Sequence, residues 1–151
     1  MRRVVITGLG PITIGVGKKA FWEGLMSRKS GIGPVTRFDP SLFNARSAAE
    51  INDWEPEKFF PSQRLERLDR YAQFAVGSVK LALEDSGLSY SPEDPQSRVG
   101  VSFGTALGGV SNAEKQHVSL VHSGPKSVDQ TIALQVFGGS AHCNIACARS
   151  P

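Results

Sequence analysis

The chain has 151 residues, of which 40% are hydrophobic and 21% are charged, and its formal net charge is +3. These values are typical of a soluble globular protein with enough apolar side chains for one core. They do not favour nucleic-acid binding, because the basic residues are scattered without interleaved aromatic residues, and no apolar run reaches the roughly 18 residues of a membrane helix.

The first predicted element is a buried strand at residues 3–8, which is apolar, β-branched and ended by glycine. Only Val4-Val5-Ile6 follows the basic Met1-Arg2-Arg3, which is too short for a signal-peptide core, so we expect a cytoplasmic protein. The next glycines fail the dinucleotide fingerprint at Thr13 and the P-loop at Val16. Nucleotide binding by a Rossmann-like domain is therefore disfavoured.

A short helix is predicted at residues 19–26, with Phe21, Trp22 and Leu25 facing inward and Trp22 in the core. The first thirty residues carry a single acid, Glu23, against six basic side chains. These are Arg2, Arg3, Lys18, Lys19, Arg28 and Lys29. Scattered charges of this kind favour a solvated surface over a docking site for an acidic partner.

The following stretch is rich in glycine and proline. Turns are predicted at residues 30–34 and 38–41, since the residue before a proline avoids helix. Residues 48–51 predict a short strand. Residues 54–62, which include two prolines, predict a loop over the surface.

The longest predicted element is a helix that begins near Ser62 and ends before Gly87. Its apolar face is marked by spacings of three and four at Leu68, Ala72, Ala75, Val79 and Ala82. Further apolar residues widen this face, which is typical of a helix packed inside a layered domain. The remaining polar stripe consists of Arg70, Gln73, Lys80 and Glu84. Gly87 suits the left-handed position after a helix end.

A second buried strand is predicted at residues 98–103, after an exposed connection at residues 90–96. A glycine-rich turn follows at residues 104–109. There Gly108 and Gly109 allow another part of the backbone to approach closely.

The remaining predicted elements are helical. Residues 110–121 predict one helix, which residues 123–125 break, and Asp129 is predicted to cap another that runs through Leu134 to Phe137. Residues 141–148 predict a last helix. Strands that alternate with helices predict an α/β domain with both faces of its sheet covered.

Seven short motifs resemble, in order, the N-terminal part of the β-ketoacyl-acyl-carrier-protein synthases, the condensing enzymes of fatty acid and polyketide synthesis. They are Val4 to Gly10, Phe21-Trp22, Ser30-Gly31-Ile32, Arg37-Phe38-Asp39, Asp69-Arg70 with Asp85 to Leu88, Arg98 to Val101, and Gly104 to Gly109. The resemblance predicts a synthase-like segment at residues 1–146 and a divergent or fused tail at residues 147–151.

The resemblance implies a thiolase-like α/β fold of layered helices and a mixed sheet, incomplete in this chain, and a homodimer. It implies an acyltransferase that performs decarboxylative Claisen condensation on acyl thioesters carried by acyl carrier protein. A cysteine thiolate takes the acyl group, and the carbanion from malonyl-carrier attacks the thioester. The family's histidines and lysine belong to a C-terminal half that this chain lacks, so we expect no catalysis by the chain alone. No cofactor is implied.

Cys147 is the candidate nucleophile, and two interpretations of it stay open. In the first, the family match ends at Ala146 before an unrelated tail; in the second, a deletion has fused the preceding helix to the cysteine motif, with Arg149 as a departure. We favour the tail, because nothing nearby predicts an electropositive pocket. A second departure is a missing residue between Thr13 and Ile14, so the resemblance does not fix the first loop.

The other reactive side chains predict no site. Cys143 is interpreted as a small buried helix residue, and adjacent His142 does not face it. His117 and His122 are predicted to be solvated. No spacing of histidines, cysteines and acids predicts a metal site.

Leu107 is the most informative position. By resemblance, the residue before the two glycines lines the far end of the acyl pocket near the dimer interface, where its size would limit chain length. A core leucine in a turn is the alternative. Two functions follow: an N-terminal portion of a condensing enzyme, or a non-catalytic interaction protein that binds a synthase subunit or acyl carrier protein.

Overall fold

A computed structural model describes residues 3–61, 65, 68–88, 99–137, 141, 144 and 145. The elements are α1 (Lys18–Met26), β1 (Ile32–Pro34), β2 (Ser47–Ala49), α2 (Arg70–Ser86), α3 (Val110–Ser123) and α4 (Ile132–Val136), with 3-10 turns at Pro56–Lys58 and Pro125–Ser127. Within these ranges, no helix combines the length and the apolar character needed to cross a bilayer.

Helix α2 is the longest helix of the described residues, and several loop segments pack against it. It begins at Arg70, because the Asp69 side chain accepts a hydrogen bond from the backbone of Tyr71 and caps the helix. The prediction that the helix includes Leu68 is therefore wrong, although Leu68 is buried before the cap. The predicted end is confirmed, since Gly87 adopts a φ of 65°. The buried face consists of Ala72, Ala75, Val76 and Gly77.

Residues 54–60 pack against α2 and supply much of the core, so the predicted surface loop is wrong there. Trp54 and Phe60 are only 7% and 5% exposed. The Trp54 ring stacks on Phe59 with centroids 4.9 Å apart and meets the edge of Phe74 at 5.3 Å. Pro56 begins a 3-10 turn in this segment, and the aromatic residues on either side of the turn gain free energy by leaving water.

The polar stripe of α2 is bonded to this same part of the chain. Lys80 Nζ donates to the Phe59 carbonyl at 2.6 Å, and Trp54 Nε1 donates to Gln73 Oε1 at 3.1 Å. The Arg70 guanidinium donates to the carbonyl of Ile51. These bonds satisfy polar groups that α2 would otherwise bury without partners.

Helix α1 forms as predicted, but its inward face is different. Trp22 is 62% exposed, and Leu25 is also exposed, so the assignment of Trp22 to the core is wrong. The helix instead approaches the preceding loop through small residues. A Cβ atom on the buried Gly24 would lie 2.6 Å from Ile14 Cδ1. Such close contact leaves no room for a large side chain on the buried face.

The first loop, where the sequence departs from the family pattern, forms a compact reversal. Ile12 is buried and forms an antiparallel bridge with Val16. The amide of Gly17 donates to the Pro11 carbonyl at 2.8 Å, and that of Thr13 donates to the Gly15 carbonyl at 3.1 Å. The backbone bonds thus fix this loop without the additional residue.

Strands β1 and β2 pair antiparallel, with Ile32 opposite Ala49 and Pro34 opposite Ser47. The prediction of a turn at residues 30–34 is wrong, while the strand predicted at residues 48–51 lies at Ser47–Ala49. A proline is compatible with β1, because an edge strand leaves one row of amides without a ladder partner.

Residues 3–8 and 98–103 are predicted as buried strands. Their described residues, 3–8 and 99–103, belong to no sheet. The side chains of Val4, Val5 and Ile6 are 93%, 69% and 83% exposed. Within the described part of the chain, the backbone of residues 4–8 makes no hydrogen bond. The strand prediction is wrong here because β-propensity needs a neighbouring strand to become a ladder.

The first segment is nevertheless attached to α2. A Cβ atom on Gly8 would lie 2.0 Å from the Ala82 carbonyl oxygen, so the two backbones touch. Asp85 Oδ2 accepts a hydrogen bond from the Leu9 amide at 3.0 Å, and Asp85 also pairs with Lys18. The Lys18 hydrogen bond, followed by the bond from Leu9, lowers the pKa of the Asp85 carboxyl.

The C-terminal helices follow the sequence closely. Helix α3 forms as predicted and ends at Gly124, whose φ is 79°. Helix α4 has Thr131 at its N-cap, so the prediction that Asp129 caps this helix is wrong. Asp129 Oδ1 instead accepts from the Thr131 amide at 2.8 Å, just before the helix begins. Of the helix predicted at residues 141–148, only residues 141, 144 and 145 are described; they are helical, and Ala141 and Ile145 are buried.

Candidate functional site

The glycine-rich turn at residues 104–109 presents Leu107 to solvent. Gly108 adopts a φ of 58°, a left-handed conformation that favours glycine, and its amide donates to Thr105 Oγ1 at 3.1 Å. The preceding Leu107 is 72% exposed. The alternative of a core leucine therefore does not describe this position, and the side chain is available for contact with another molecule or chain segment.

Gly109 locks the turn to α4, as the predicted close approach requires. Its amide donates to the Val136 carbonyl at 3.0 Å. A Cβ atom on Gly109 would lie 2.4 Å from the carbonyl oxygen of Gln135, so only glycine fits without a backbone shift. The prediction for Gly109 is confirmed.

Asp69 holds the turn to α2, and the sequence analysis did not identify it as a site residue. Its Oδ1 accepts from the Tyr71 amide at 3.1 Å, and its Oδ2 accepts from the Asn112 amide at 3.2 Å. One carboxylate thus satisfies amides in the first turns of both α2 and α3, where negative charge is favourable. An aspartate directly before an apolar helix is the signal that would have indicated the first of these caps.

Side-chain amides extend these hydrogen bonds to α4, so that Asp69, Asn112 and Gln135 form one set, called the Asp69 network. Gln135 is only 9% exposed, and its Nε2 donates to Asp129 Oδ2 at 2.9 Å and to Thr131 Oγ1 at 2.8 Å. Its Oε1 accepts from the Asn112 side chain. The Tyr71 hydroxyl donates to the Phe137 carbonyl at 2.8 Å. Helices α2, α3 and α4 therefore hold the base of the Leu107 turn in one conformation.

The cysteines and histidines considered as reactive residues differ in whether the structure describes them. Cys147, Cys143 and His142 lie outside the described residues. His117 and His122 are exposed on α3, as predicted. In the ranges that the structure describes, no three histidine, cysteine or acidic side chains are grouped as metal ligands.

Comparison with known proteins decides the family. The family model described as the N-terminal domain of β-ketoacyl synthase matches residues 1–149. The chain belongs to the β-ketoacyl synthase family. The resemblance inferred from the seven motifs is thereby confirmed.

Curated relatives include a 3-oxoacyl-acyl-carrier-protein synthase and a polyketide β-ketoacyl synthase. The 3-oxoacyl-acyl-carrier-protein synthase 2 of Coxiella burnetii is 41% identical over 128 residues, which are 84% of this chain and 31% of that protein. A granaticin polyketide putative β-ketoacyl synthase 1 of Streptomyces violaceoruber is 39% identical over 82% of this chain and 29% of that protein. The chain thus spans about a third of the length of these relatives.

Solved structures confirm the thiolase-like fold. The ishigamide ketosynthase/chain length factor superimposes with a TM-score of 0.83 and 32% identity, over 99% of this chain and 38% of that chain. A type II polyketide ketosynthase in complex with its acyl-carrier protein superimposes with a TM-score of 0.75 over 96% of this chain and 38% of that chain. At 19% identity, the second likeness shows the fold alone.

Proposed function

We propose that this chain is the N-terminal portion of a β-ketoacyl-acyl-carrier-protein synthase-like condensing enzyme. The family match across residues 1–149 is the observation that carries the proposal. The reaction of the whole enzyme is decarboxylative Claisen condensation between an acyl thioester and malonyl-carrier. Its partners are acyl carrier protein and a second, identical subunit.

The contribution of this chain is the scaffold and one wall of the acyl pocket. We assign the wall to Leu107, whose side chain is 72% exposed while its turn is fixed by Gly108, Gly109 and the Asp69 network. A rigid turn with an apolar tip suits a surface that must stop a growing alkyl chain at a defined depth. Nothing in this assignment requires the chain itself to perform chemistry.

The condensation requires a thiolate and groups that stabilise the developing negative charge. In the family these groups lie mostly in the C-terminal half. We therefore propose that the 151-residue chain does not complete the condensation alone. Cys147 is its candidate nucleophile, and acyl labelling of the chain tests that candidate directly.

A chimera tests the function. The matching segment of the Coxiella burnetii enzyme is replaced by the 128 aligned residues of this chain. We expect the purified chimera to convert acyl-carrier and malonyl-carrier to β-ketoacyl-carrier, measured by mass spectrometry. With Leu107→Phe, the longest accepted acyl chain should shorten, because the larger ring fills the pocket end. Leu120→Phe, at an exposed leucine of α3, is the matched control.

A folded chimera without activity would contradict the enzyme proposal, and equal effects of the two substitutions would contradict the role of Leu107. The native chain is incubated in parallel with radiolabelled acyl-carrier protein. Label that Cys147→Ala abolishes and Cys143→Ala preserves would assign the nucleophile. No label on any of the three proteins would remove Cys147 from consideration, and β-ketoacyl product from the native chain would contradict the proposed dependence on groups of the family's C-terminal half.

A second function, non-catalytic binding of a synthase subunit or acyl carrier protein, is favoured by one observation. Val4, Val5 and Ile6 are exposed, and the backbone of residues 4–8 makes no hydrogen bond within the described part of the chain. Such a segment offers both apolar surface and free backbone groups to a partner. Stable co-elution of the chain with the Coxiella burnetii synthase, together with an inactive chimera, would favour this function.

A further inference from the structure

A polar cavity of about 300 Å³ lies where α2 and α3 begin, beside the segment that follows β1. Its charged lining residues are Arg37, Arg70, Lys115 and Asp69. Its other polar side chains are Gln73, Ser111, Asn112 and Gln135. The wall therefore carries more positive than negative side chains.

None of the three cations forms a close ion pair in the part of the chain that the structure describes. Within the described part of the chain, none of Arg37, Arg70 and Lys115 lies within 4.0 Å of a carboxylate oxygen. The side chains of Arg37 and Lys115 also make no hydrogen bond there. Arg70 donates to the Ile51 carbonyl, and burial, followed by the charge of Arg37, lowers the pKa of its guanidinium. The two guanidinium groups are thus close enough to repel each other.

Three acids lie near these cations and keep their negative charge. Asp69 lines the cavity, and both of its oxygens accept backbone hydrogen bonds from α2 and α3. The charge of Glu50 raises the pKa of Arg70, and its carboxylate accepts a hydrogen bond from the Thr36 hydroxyl at 2.6 Å, but Glu50 does not line the cavity. Glu114 lines the neighbouring concavity with Arg37 and Lys115. Three cations and one acid give the cavity lining a formal charge of +2.

We propose that this cavity binds a phosphate-type dianion, held by Arg37, Arg70 and Lys115. A dianion matches the formal charge of the lining. The planar guanidinium groups suit the paired oxygens of a phosphate, and the lysine adds a mobile third donor. The hydroxyl of Ser111, at the same wall, is a further donor.

The ligand is either free inorganic phosphate or the phosphoryl group of a larger molecule, and two probes separate these sources. Inorganic phosphate and phenyl phosphate are each titrated into the native 151-residue chain at pH 8 and low ionic strength, by isothermal calorimetry. Phenyl phosphate that binds at least as tightly indicates a phosphoryl group on a larger ligand. Phenyl phosphate that binds more weakly indicates free phosphate.

Charge-removing variants locate the site. We expect Arg37→Gln and Lys115→Gln each to weaken phosphate binding by about tenfold, since each removes one charge-assisted hydrogen bond. Arg28→Gln and Lys126→Gln, at exposed cations outside this cavity lining, should leave the affinity unchanged. Circular dichroism and the melting temperature of every variant establish that it is folded. Because two independent cations are tested, a folding defect in one variant still leaves the other to decide.

Three results would overturn the proposal. These are a native chain that shows no saturable phosphate binding at millimolar concentrations, folded Arg37→Gln and Lys115→Gln variants with native affinity, and an equal loss of affinity in the two control variants. The last result would mean that phosphate responds to the overall surface charge. The proposal does not depend on the condensing function, so its failure leaves that function untouched.

Discussion

Asp69 is the residue that connects most of the described structure. A single carboxylate accepts backbone hydrogen bonds in the first turns of α2 and α3, through Tyr71 and Asn112. The Asn112 side chain then reaches the buried Gln135 on α4. A helix cap ordinarily affects one helix, but here one side chain fixes the relative position of two. The orientation of the Leu107 turn therefore depends on a residue that touches no proposed substrate.

Asp69→Ala removes both of these hydrogen bonds. We expect the free energy of unfolding to fall by about 1–2 kcal/mol, because the cap of α2 is lost while the Asn112 amide keeps its bond to the Gly109 carbonyl. Asp69→Asn should cost less, since its carbonyl oxygen can still accept one of the two bonds. Urea denaturation followed by circular dichroism measures both. Equal stability of the alanine variant and the native chain would contradict the double cap.

At the scale of elements, α2 depends on a short irregular segment more than on any strand. The aromatic side chains of residues 54–60 cover its buried face, and its polar stripe is bonded to the same segment. Gly77 makes this contact possible. A Cβ atom there would lie 2.6 Å from Trp54 Cη2, so the indole fills the space that a side chain would occupy.

Gly77→Val should displace the Trp54 ring and lower the free energy of unfolding by about 1–3 kcal/mol, the usual cost of overpacking. In a Trp22→Phe background, Trp54 is the only tryptophan, so its emission reports on this contact alone. We expect blue-shifted emission from that background and a red shift on adding Gly77→Val. The control is Gly33→Val, since no atom lies within 4 Å of a Cβ placed at Gly33. Unchanged emission in the Gly77 variant would show that the ring does not pack there.

These elements also show how far the sequence predicts the fold. The end of α2 at Gly87 and the burial of Ala72 and Ala75 on its predicted apolar face follow from local rules, and both are confirmed. The assignments of Trp22 and Trp54 are reversed, because a short aromatic pattern does not indicate which face another segment will cover. The prediction of a strand at residues 3–8 is wrong for a related reason. Its β-branched residues favour a strand, but a ladder depends on a partner distant in sequence.

The residues of the candidate site also differ in whether the sequence predicts them. Leu107 was predicted only through resemblance to a family, and Gly109 through the general use of glycine at close backbone contacts. The polar network around Asp69, Asn112 and Gln135 was not predicted at all. Its members are separated by 43 and 23 positions, and no local pattern relates side chains that far apart.

At the scale of the whole molecule, the distribution of exposed apolar side chains matters most. Val4, Val5 and Ile6 form a contiguous exposed run that makes no backbone hydrogen bonds within the described residues. Apolar side chains and free backbone groups in one segment favour pairing with another chain. A single exposed valine on a helix lacks the second property, because the backbone of the helix is already bonded. A valine in the N-terminal segment can therefore be compared with an equally exposed valine on a helix.

Val5 and Val121 provide that comparison, since they are 69% and 68% exposed, and Val121 lies in α3. We expect the native chain to form concentration-dependent oligomers in sedimentation velocity and to enhance the fluorescence of a hydrophobic dye. Val5→Lys should shift the distribution toward monomer, because a charge in the unpaired segment opposes edge pairing. Val121→Lys should change it little. A monodisperse, dye-silent native chain, or equal effects of both substitutions, would show that the N-terminal segment is not the surface through which the chain associates.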